Sequence, residues 1–310
     1  AIGSLMVPAL EDTGYDRKFT LALIATAGML GTIIPPSTMM ITYSSATGAS
    51  VGKLFMGGIV PGVILGTLII LYCIYYGVKA NIPRTRFSFK RLWSAFVNSI
   101  GALLMPVIIL GGIYSGVFTP TESAAVACAY GLLVGIFVYK EIRIKEIYSI
   151  IAKAASTSGM LMFIVATAGV FGLVMTREQI PTKAATLIMA VAHNKYVFLA
   201  LVNVLLLIVG CFLEATAAML ILCPILFPTV VAFGIDPVHF GIIVVLNLCI
   251  GLITPPLGVN LYVSAGLKNE RIETVINKHL FILMFICLAN LLLVTYIPDI
   301  CLMLPNMMAA

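Results

Sequence analysis

The sequence predicts an all-α integral membrane protein, one membrane domain over residues 1–310 with discontinuous helices, re-entrant hairpins and an inverted internal repeat. Three observations carry that prediction. Residues are 61% hydrophobic and only 10% charged, with a mean hydropathy of +1.13, whereas soluble domains carry about a quarter charged residues. Apolar stretches recur at the length of roughly 20 residues that a helix needs to cross the hydrocarbon core of a bilayer. Two of them are interrupted by consecutive prolines, Pro35-Pro36 and Pro255-Pro256.

In chain order, apolar segments fall at about 1–10, 19–44, 54–77, 101–116, 119–139, 156–176, 197–210, 215–232, 238–264 and 278–297. The first has no charged n-region or cleavage site before it, so it does not read as a signal peptide, and a chain starting at Ala1 suggests an amino-terminal truncation. Segments 197–210 and 215–232 are each short for a crossing and are separated only by "CFLEA", which predicts a re-entrant hairpin. The basic stretch at 79–93 and "KEIRIKEI" at 140–147 are expected to be polar connections with surface helices, one of them from Phe87 to Ser99 with Trp93 as an interfacial anchor. This organisation gives a first hairpin end and broken helix at 1–48, scaffold helices and surface arms at 49–196, a second hairpin and broken helix at 197–265, and a last scaffold helix with the carboxyl terminus at 266–310.

Lys and Arg concentrate on the cytoplasmic side of membrane proteins. With 79–93 inside and the hairpin entering from outside, only Lys53, Arg177, Lys183 and Lys195 of the 18 basic residues lie outside. The same arrangement puts the carboxyl terminus outside.

Residues 234–264 laid over 14–44 with a constant shift of 220 match at seven of 31 positions: Gly14, Asp16, Gly31, Ile33, Pro35, Pro36 and Ser44 on Gly234, Asp236, Gly251, Ile253, Pro255, Pro256 and Ser264. Since Gly14 is placed inside and Gly234 outside, the two copies run in opposite directions. Proline removes an amide donor and clashes with the preceding turn, so each pair breaks its helix. Polar backbone freed at membrane depth is tolerated only where protein or a water-filled cavity covers it. Inverted repeats with broken helices are how secondary transporters place carbonyls around ions and helix amino termini near anions. Gly31 to Ser37 and Gly251 to Gly258 are therefore the candidate ion loops, with the hydroxyls of Thr32, Ser37 and Thr254 assisting. Many neutral oxygens and no carboxylate favour sodium over a proton.

Other residues are weighed against plainer roles. The seven cysteines are scattered and read as packing residues, and His193, His239 and His279 lack the spacing of a metal site. Glu122 in "TPTES" reads as a helix cap, with ion handling as the alternative, and Glu214 either fixes the hairpin tip or borders a substrate path. Asn247 and Asn260 flank the second break and either donate to a substrate carboxylate or bond a neighbouring helix. There is no constellation of nucleophile, base or metal ligands, so the chain is not expected to be an enzyme, and no cofactor or nucleic-acid partner is expected.

The runs "GYDRKF", "GTIIPPS", "LFMGGIVPG", "GVFTPTESAAVACAYG", "GIDPVHFGIIVVLNLCIGLITPPLGVNLYV" and "YIPDICLMLP" together resemble the large membrane subunit of tripartite ATP-independent periplasmic (TRAP) transporters, over the whole chain and in order. The resemblance implies an elevator-type transporter of the bacterial inner membrane that takes up organic acids, such as C4-dicarboxylates, sialic acid or other sugar acids. It implies sodium as coupling ion, and a small membrane subunit and a periplasmic substrate-binding protein as partners. Carried over, it implies one sodium site at Gly31, Ile34 and Ser37, a second at Gly251, Thr254 and Leu257 closed by the hairpin tip from Gly210 to Thr216, and a substrate site drawing on Pro36, Ser37, Glu214, Pro256, Gly258 and Asn260. Such subunits carry a longer amino-terminal part, which would place Ala1 in the second arm of the first hairpin. A carboxylate symporter without a binding protein is the nearest alternative. A channel is less favoured because its pore is usually ringed by symmetric subunits, and a purely structural subunit would leave the two breaks without a purpose.

Overall fold

The computed structural model describes residues 2–83, 87–180, 183, 186, 192 and 194–307, and among these every regular element is helical. Contacts divide the chain into two compact units, Ala1–Pro83 with Phe171–Ala310, and Arg84–Val170. Among the described residues, six helices are long and apolar enough to cross a membrane.

The smaller unit holds α6 (Phe89–Tyr114), α7 (Pro120–Leu133) with a π-helical turn at Val134–Val138, and the first part of α8 (Ile144–Arg177). The Tyr130 hydroxyl donates to Gly101 O at 2.9 Å and the Tyr139 hydroxyl to Asn98 O at 3.0 Å, tying α7 and its π turn to α6. Two expectations are corrected here. The surface helix foreseen at Phe87–Ser99 and the span at 101–116 are one continuous 26-residue helix, and the span at 156–176 is the later part of a 34-residue helix that starts at Ile144. The physical reason is local: neither "SFKRLWSAFVNSI" nor "EIRIKEIYSIIAKAAS" contains a proline or glycine, and the single Gly101 does not end α6, so a change from charged to apolar residues alters the helix environment without ending the helix. Glu122 is a cap, as foreseen. The Thr119 hydroxyl accepts from Glu122 N at 3.3 Å while Glu122 Oε2 accepts from Thr119 N at 2.8 Å, a reciprocal capping box.

The larger unit is arranged around α11 (Pro237–Gly251), where every residue from Val238 to Gly251 is buried. A helix apolar on all sides has no face for water and is buried in the core. Around it stand α3 (Leu30–Ile33), α4 (Thr38–Thr47), α5 (Val51–Lys79), α9 (Lys195–Gly210), α10 (Ala215–Ala232), α14 (Lys278–Tyr296) and α15 (Asp299–Met307). The predicted pair 197–210 and 215–232 is present as α9 and α10 with only residues 211–214 between them. Helix α15 was not foreseen, because Pro298 and Pro305 make its sequence read as an ending.

The repeat is legible in the backbone. Asp16 caps α2 (Arg17–Ala27) and Asp236 caps α11, each accepting from the amides two and three residues on. Gly14 and Gly234, immediately upstream, both take the left-handed conformation, with φ of +95° and +65°. Both Pro-Pro bonds are cis. The first copy is broken between α3 and α4, the second between α11 and α12 (Val259–Gly266). The copies pack reciprocally: α12 lies on α2, with the Ser264 hydroxyl donating to Leu21 O at 2.7 Å, and α4 lies on α11, with the Tyr43 hydroxyl donating to Pro237 O at 2.8 Å.

One end of this unit is charged. Arg17 bonds both Glu11, at the end of α1 (Ile2–Asp12), and Glu270, at 2.8 and 2.9 Å, while Lys268 reaches Glu11 at 3.0 Å. The hydrogen bond from Lys268, then that from Arg17, holds the Glu11 carboxyl below its ordinary range.

Candidate functional site

The second break meets the hairpin tip. Helix α9 ends at Gly210 and α11 at Gly251, side by side; a Cβ on Gly251 would fall 2.5 Å from Gly210 O and 2.7 Å from its Cα. Only glycine permits this backbone approach. A cavity of about 310 Å³ opens here, bordered by Gly210, Glu214, Gly251, Leu257 and Gly258 together with Tyr262. It therefore gathers five of the predicted site residues. Two helix carboxyl ends at its edge each carry roughly half a negative charge. Helix α12 starts at the same cavity, from Gly258, with no side chain capping its first amides. The site thus offers a cation negative dipole ends and carbonyl oxygens, and offers an anion the Val259 amide at the start of α12, since Asn260 N already donates to Leu252 O at 3.0 Å and Leu261 N to Gly258 O at 2.7 Å.

Glu214 takes the first of its two foreseen roles, fixing the hairpin tip, and also borders the cavity. It caps α10 by accepting from Ala217 N at 2.9 Å and takes a hydrogen bond from the Thr216 hydroxyl at 2.9 Å. Thr216 itself is the second residue of α10 and does not line the cavity. The Thr254 hydroxyl donates to Ile250 O at 2.7 Å, so its proton is committed and its lone pairs face elsewhere. Pro256 is exposed in the loop.

The first break is closed by its own side chains. Gly31 lies in the short turn α3 and Ile34 ends it; Pro36 is exposed and Ser37 is 1% exposed. The Ser37 hydroxyl donates to Thr32 O and accepts from Met40 N, capping α4, while the Thr32 hydroxyl donates to Met29 O at 2.7 Å. The break lies on a glycine face of α5: a Cβ on Gly58 would meet Ile33 O at 2.8 Å, and one on Gly62 the Ile34 side chain at 2.6 Å. Small residues at four-residue spacing let membrane helices approach this closely.

Ser37 is turned into the first break, where its hydroxyl lies between Thr32 O and Met40 N. Asn260 borders a different cavity, of about 530 Å³ between α1, α2 and α12, and its Nδ2 donates to Ala25 O at 3.1 Å. Asn247 is fully buried and donates to Asn203 Oδ1 and Ile243 O, both at 2.8 Å; Asn203 in turn donates to the Thr295 hydroxyl at 3.0 Å. Asn203 was missed by the sequence reading, although it is the one polar side chain within "VFLALVNVLLLIVG" and a polar residue inside an apolar span is itself the signal. No group of three or more His, Cys, Asp or Glu is placed to hold a metal among the described residues, and His193 lies outside them, as do Arg84 and Arg86.

Comparison with known proteins gives a consistent picture. Residues 1–300 match the family described as "Tripartite ATP-independent periplasmic transporter, DctM component". The chain is 46% identical over 303 residues to the isethionate TRAP transporter permease protein DctMQ of Oleidesulfovibrio alaskensis, covering 97% of this chain and 47% of that protein. It is 44% identical over 308 residues to the C4-dicarboxylate TRAP transporter large permease protein DctM of Pseudomonas aeruginosa, covering 99% and 72%. With the sialic acid TRAP transporter permease protein SiaT of Haemophilus influenzae it shares 35% over 308 residues, 99% of this chain and 50% of that protein. The chain spans about half the length of the first and third of these relatives. On a family match across residues 1–300 and relatives of this identity, the chain belongs to the DctM family, the large permease component of TRAP transporters: a multi-pass protein of the bacterial inner membrane and a transporter component, not an enzyme.

Proposed function

We propose that the protein carries out sodium-coupled uptake of a small organic acid, as the transport subunit of a system completed by a small membrane subunit and a periplasmic substrate-binding protein. One observation carries the reading: the carboxyl ends of α9 and α11 and the amino end of α12, which no side chain caps, converge on one cavity. Sodium takes the carbonyl side, at Gly210, Gly251 and Thr254, and the substrate's acid group takes the Gly258 and Val259 side. The names of the relatives support the substrate class, since isethionate, C4-dicarboxylates, sialic acid and 2,3-diketo-L-gulonate are all organic acids. The fusion name DctMQ supports a small membrane partner.

A second sodium is assigned to Gly31, Ile34 and Ser37. There the hydroxyl protons of Thr32 and Ser37 go to backbone carbonyls, and although Ser37 Oγ also accepts from Met40 N and Thr32 Oγ1 lies 2.7 Å from Cys249 Sγ, each hydroxyl oxygen keeps a lone pair for a cation. Reciprocal packing of α12 on α2 and α4 on α11 supports an inverted repeat, because each copy presenting its long arm to the other's short arm is the pattern a two-fold axis generates. In an elevator mechanism the two breaks and the hairpins move together as the transport element. Sodium drives uptake only through its differential affinity for the substrate-competent state.

The test is uptake of radiolabelled organic acids into proteoliposomes holding the full-length protein, its small subunit and its binding protein. Uptake that follows an inward sodium gradient and is lost in Thr254→Val supports the proposal. Uptake indifferent to sodium removes the ion sites, and uptake without the binding protein selects the two-component symporter instead.

A further inference from the structure

Away from the two breaks, a third cavity of about 530 Å³ is lined by Asp16, Lys18, Tyr76, Asn277, Lys278 and His279. We propose that it binds the phosphate of an anionic phospholipid of the cytoplasmic leaflet.

Depth comes first. Helix α2 starts at Arg17, α14 starts at Lys278 and α5 ends at Lys79, so three membrane helices terminate around this cavity. Tyr15, Phe19 and Tyr76 stack here, with Tyr15 and Tyr76 centroids 6.2 Å apart, and Lys79 Nζ lies 5.7 Å from the Tyr75 ring. Tyrosines and lysines at helix ends mark the headgroup level. The side follows from the same residues, since Arg17, Lys18, Lys79, Lys268, Arg271 and Lys278 belong to this end, and basic residues collect on the cytoplasmic face, where anionic lipids give a negative surface.

The chemistry fits a phosphate. Asn277 Nδ2 donates to Lys18 O at 2.9 Å, tying the two helix starts together so that Lys18 and Lys278 border one cavity. The single carboxylate, Asp16, is already turned to the amides of Lys18 and Phe19, and Asn277 Oδ1 accepts from His279 N at 2.8 Å. The amides of Lys18 and Phe19 both donate to Asp16 Oδ2, and two ammonium groups against this one carboxylate leave the lining with a net positive charge. Below it, α5 and α14 pack on each other and turn apolar side chains outward, Leu71 and Ile74 at 56% and 58% exposed, Phe281 and Phe285 at 55% and 71%. That strip suits acyl chains, which a free inorganic anion would not use.

The experiment uses the full-length protein with phosphatidylglycerol, phosphatidylcholine or inorganic phosphate, read by native mass spectrometry for retained lipid and by the thermal unfolding midpoint. Wild type is expected to retain phosphatidylglycerol over phosphatidylcholine and to unfold at a higher temperature with it. Each lysine removed should weaken retention about fivefold, from about 1 kcal/mol per basic residue near an anionic surface. The double variant K18Q/K278Q should therefore lose both effects. Lys53→Gln, about 35 Å away along α5 at 1.5 Å per residue, should keep both. If the double variant does not fold, the single variants decide by the same fivefold criterion. Equal retention in the lysine variants and wild type overturns the site. Stabilisation by inorganic phosphate equal to that by phosphatidylglycerol overturns the lipid and leaves a free-anion site.

Discussion

The two broken helices share a plan and differ at its most exposed chemical point. In the first, Ser37 caps the helix that follows, its hydroxyl held between Thr32 O and Met40 N. In the second, the equivalent positions are Leu257 and Gly258, and α12 begins without a side-chain cap, facing a cavity. The neighbours differ as well: the first break rests on Gly58 and Gly62 of α5, the second on Gly210 at the hairpin tip. A duplicated segment has kept the break in both copies but caps the following helix with a side chain in the first and with the backbone carbonyls of Leu252 and Gly258 in the second. That asymmetry suits a division of labour in which the first loop serves an ion and the second serves an ion and the substrate's acid group.

The strongest way to break this comparison is Gly251→Ala. The added carbon would sit against backbone atoms of Gly210, which no side-chain rotation relieves. Overpacking of this kind costs about 1–3 kcal/mol, and since 1.4 kcal/mol is about tenfold in an equilibrium constant, uptake should fall by roughly tenfold or more. Sodium-driven uptake in proteoliposomes measures it, and an unchanged rate would mean that the hairpin tip and α11 need not meet.

A cap can also be moved between the copies. Ser37→Ala should destabilise the protein by about 1 kcal/mol, the usual cost of losing a serine cap, read as a lower unfolding midpoint. Leu257→Ser puts a hydroxyl at the position aligned with Ser37, one residue before the N-cap Gly258 and two before the Val259 amide. It should raise the substrate concentration needed for half-maximal uptake severalfold while leaving the sodium dependence in place, because the hydroxyl competes with the substrate for the Val259 amide. If both parameters stay at wild-type values, the Val259 end of α12 is not the anion site.

How much of this was readable from the residues depends on whether the signal was local. Proline pairs act on their own helix, so the breaks at Pro35-Pro36 and Pro255-Pro256 were legible, and so was the repeat, because Gly14 and Asp16 recur as Gly234 and Asp236 with the same backbone roles. The pair α9 and α10 was legible from length alone. The continuity of α6 and α8 was not, since hydropathy changes along them while helix propensity does not. The partner of Asn260 was not legible either. It depends on which helix Asn260 meets, and its bond to Ala25 O joins residues 235 positions apart.

Gly31→Ala sharpens the comparison from the other side. Nothing lies within 4 Å of a Cβ placed there, and alanine is favoured over glycine in a helix by up to about 1 kcal/mol. The carbonyl assigned to sodium is retained, so stability should rise slightly and uptake should persist. Loss of uptake in a folded Gly31→Ala protein would show that the open space beside Gly31 is occupied during transport.

The smallest effect belongs to the charged end that both copies share, where Glu11 bonds Arg17 at the start of the first copy and Lys268 just after the second. Because its pKa is lowered in the folded protein, by Lys268 first and Arg17 second, Glu11 contributes stability above its unfolded pKa. That contribution is lost as pH falls through the folded pKa. At neutral pH, Glu11→Gln should therefore lower the unfolding midpoint modestly, as expected of ion pairs open to solvent. The difference from wild type should close as pH drops below the ordinary carboxylate range, and added salt should reduce it at neutral pH. A pH series of unfolding curves for the two proteins checks the sign. A gap that instead widens on acidification would mean that Glu11 is held at this end by packing, and that the two copies are not joined there by charge.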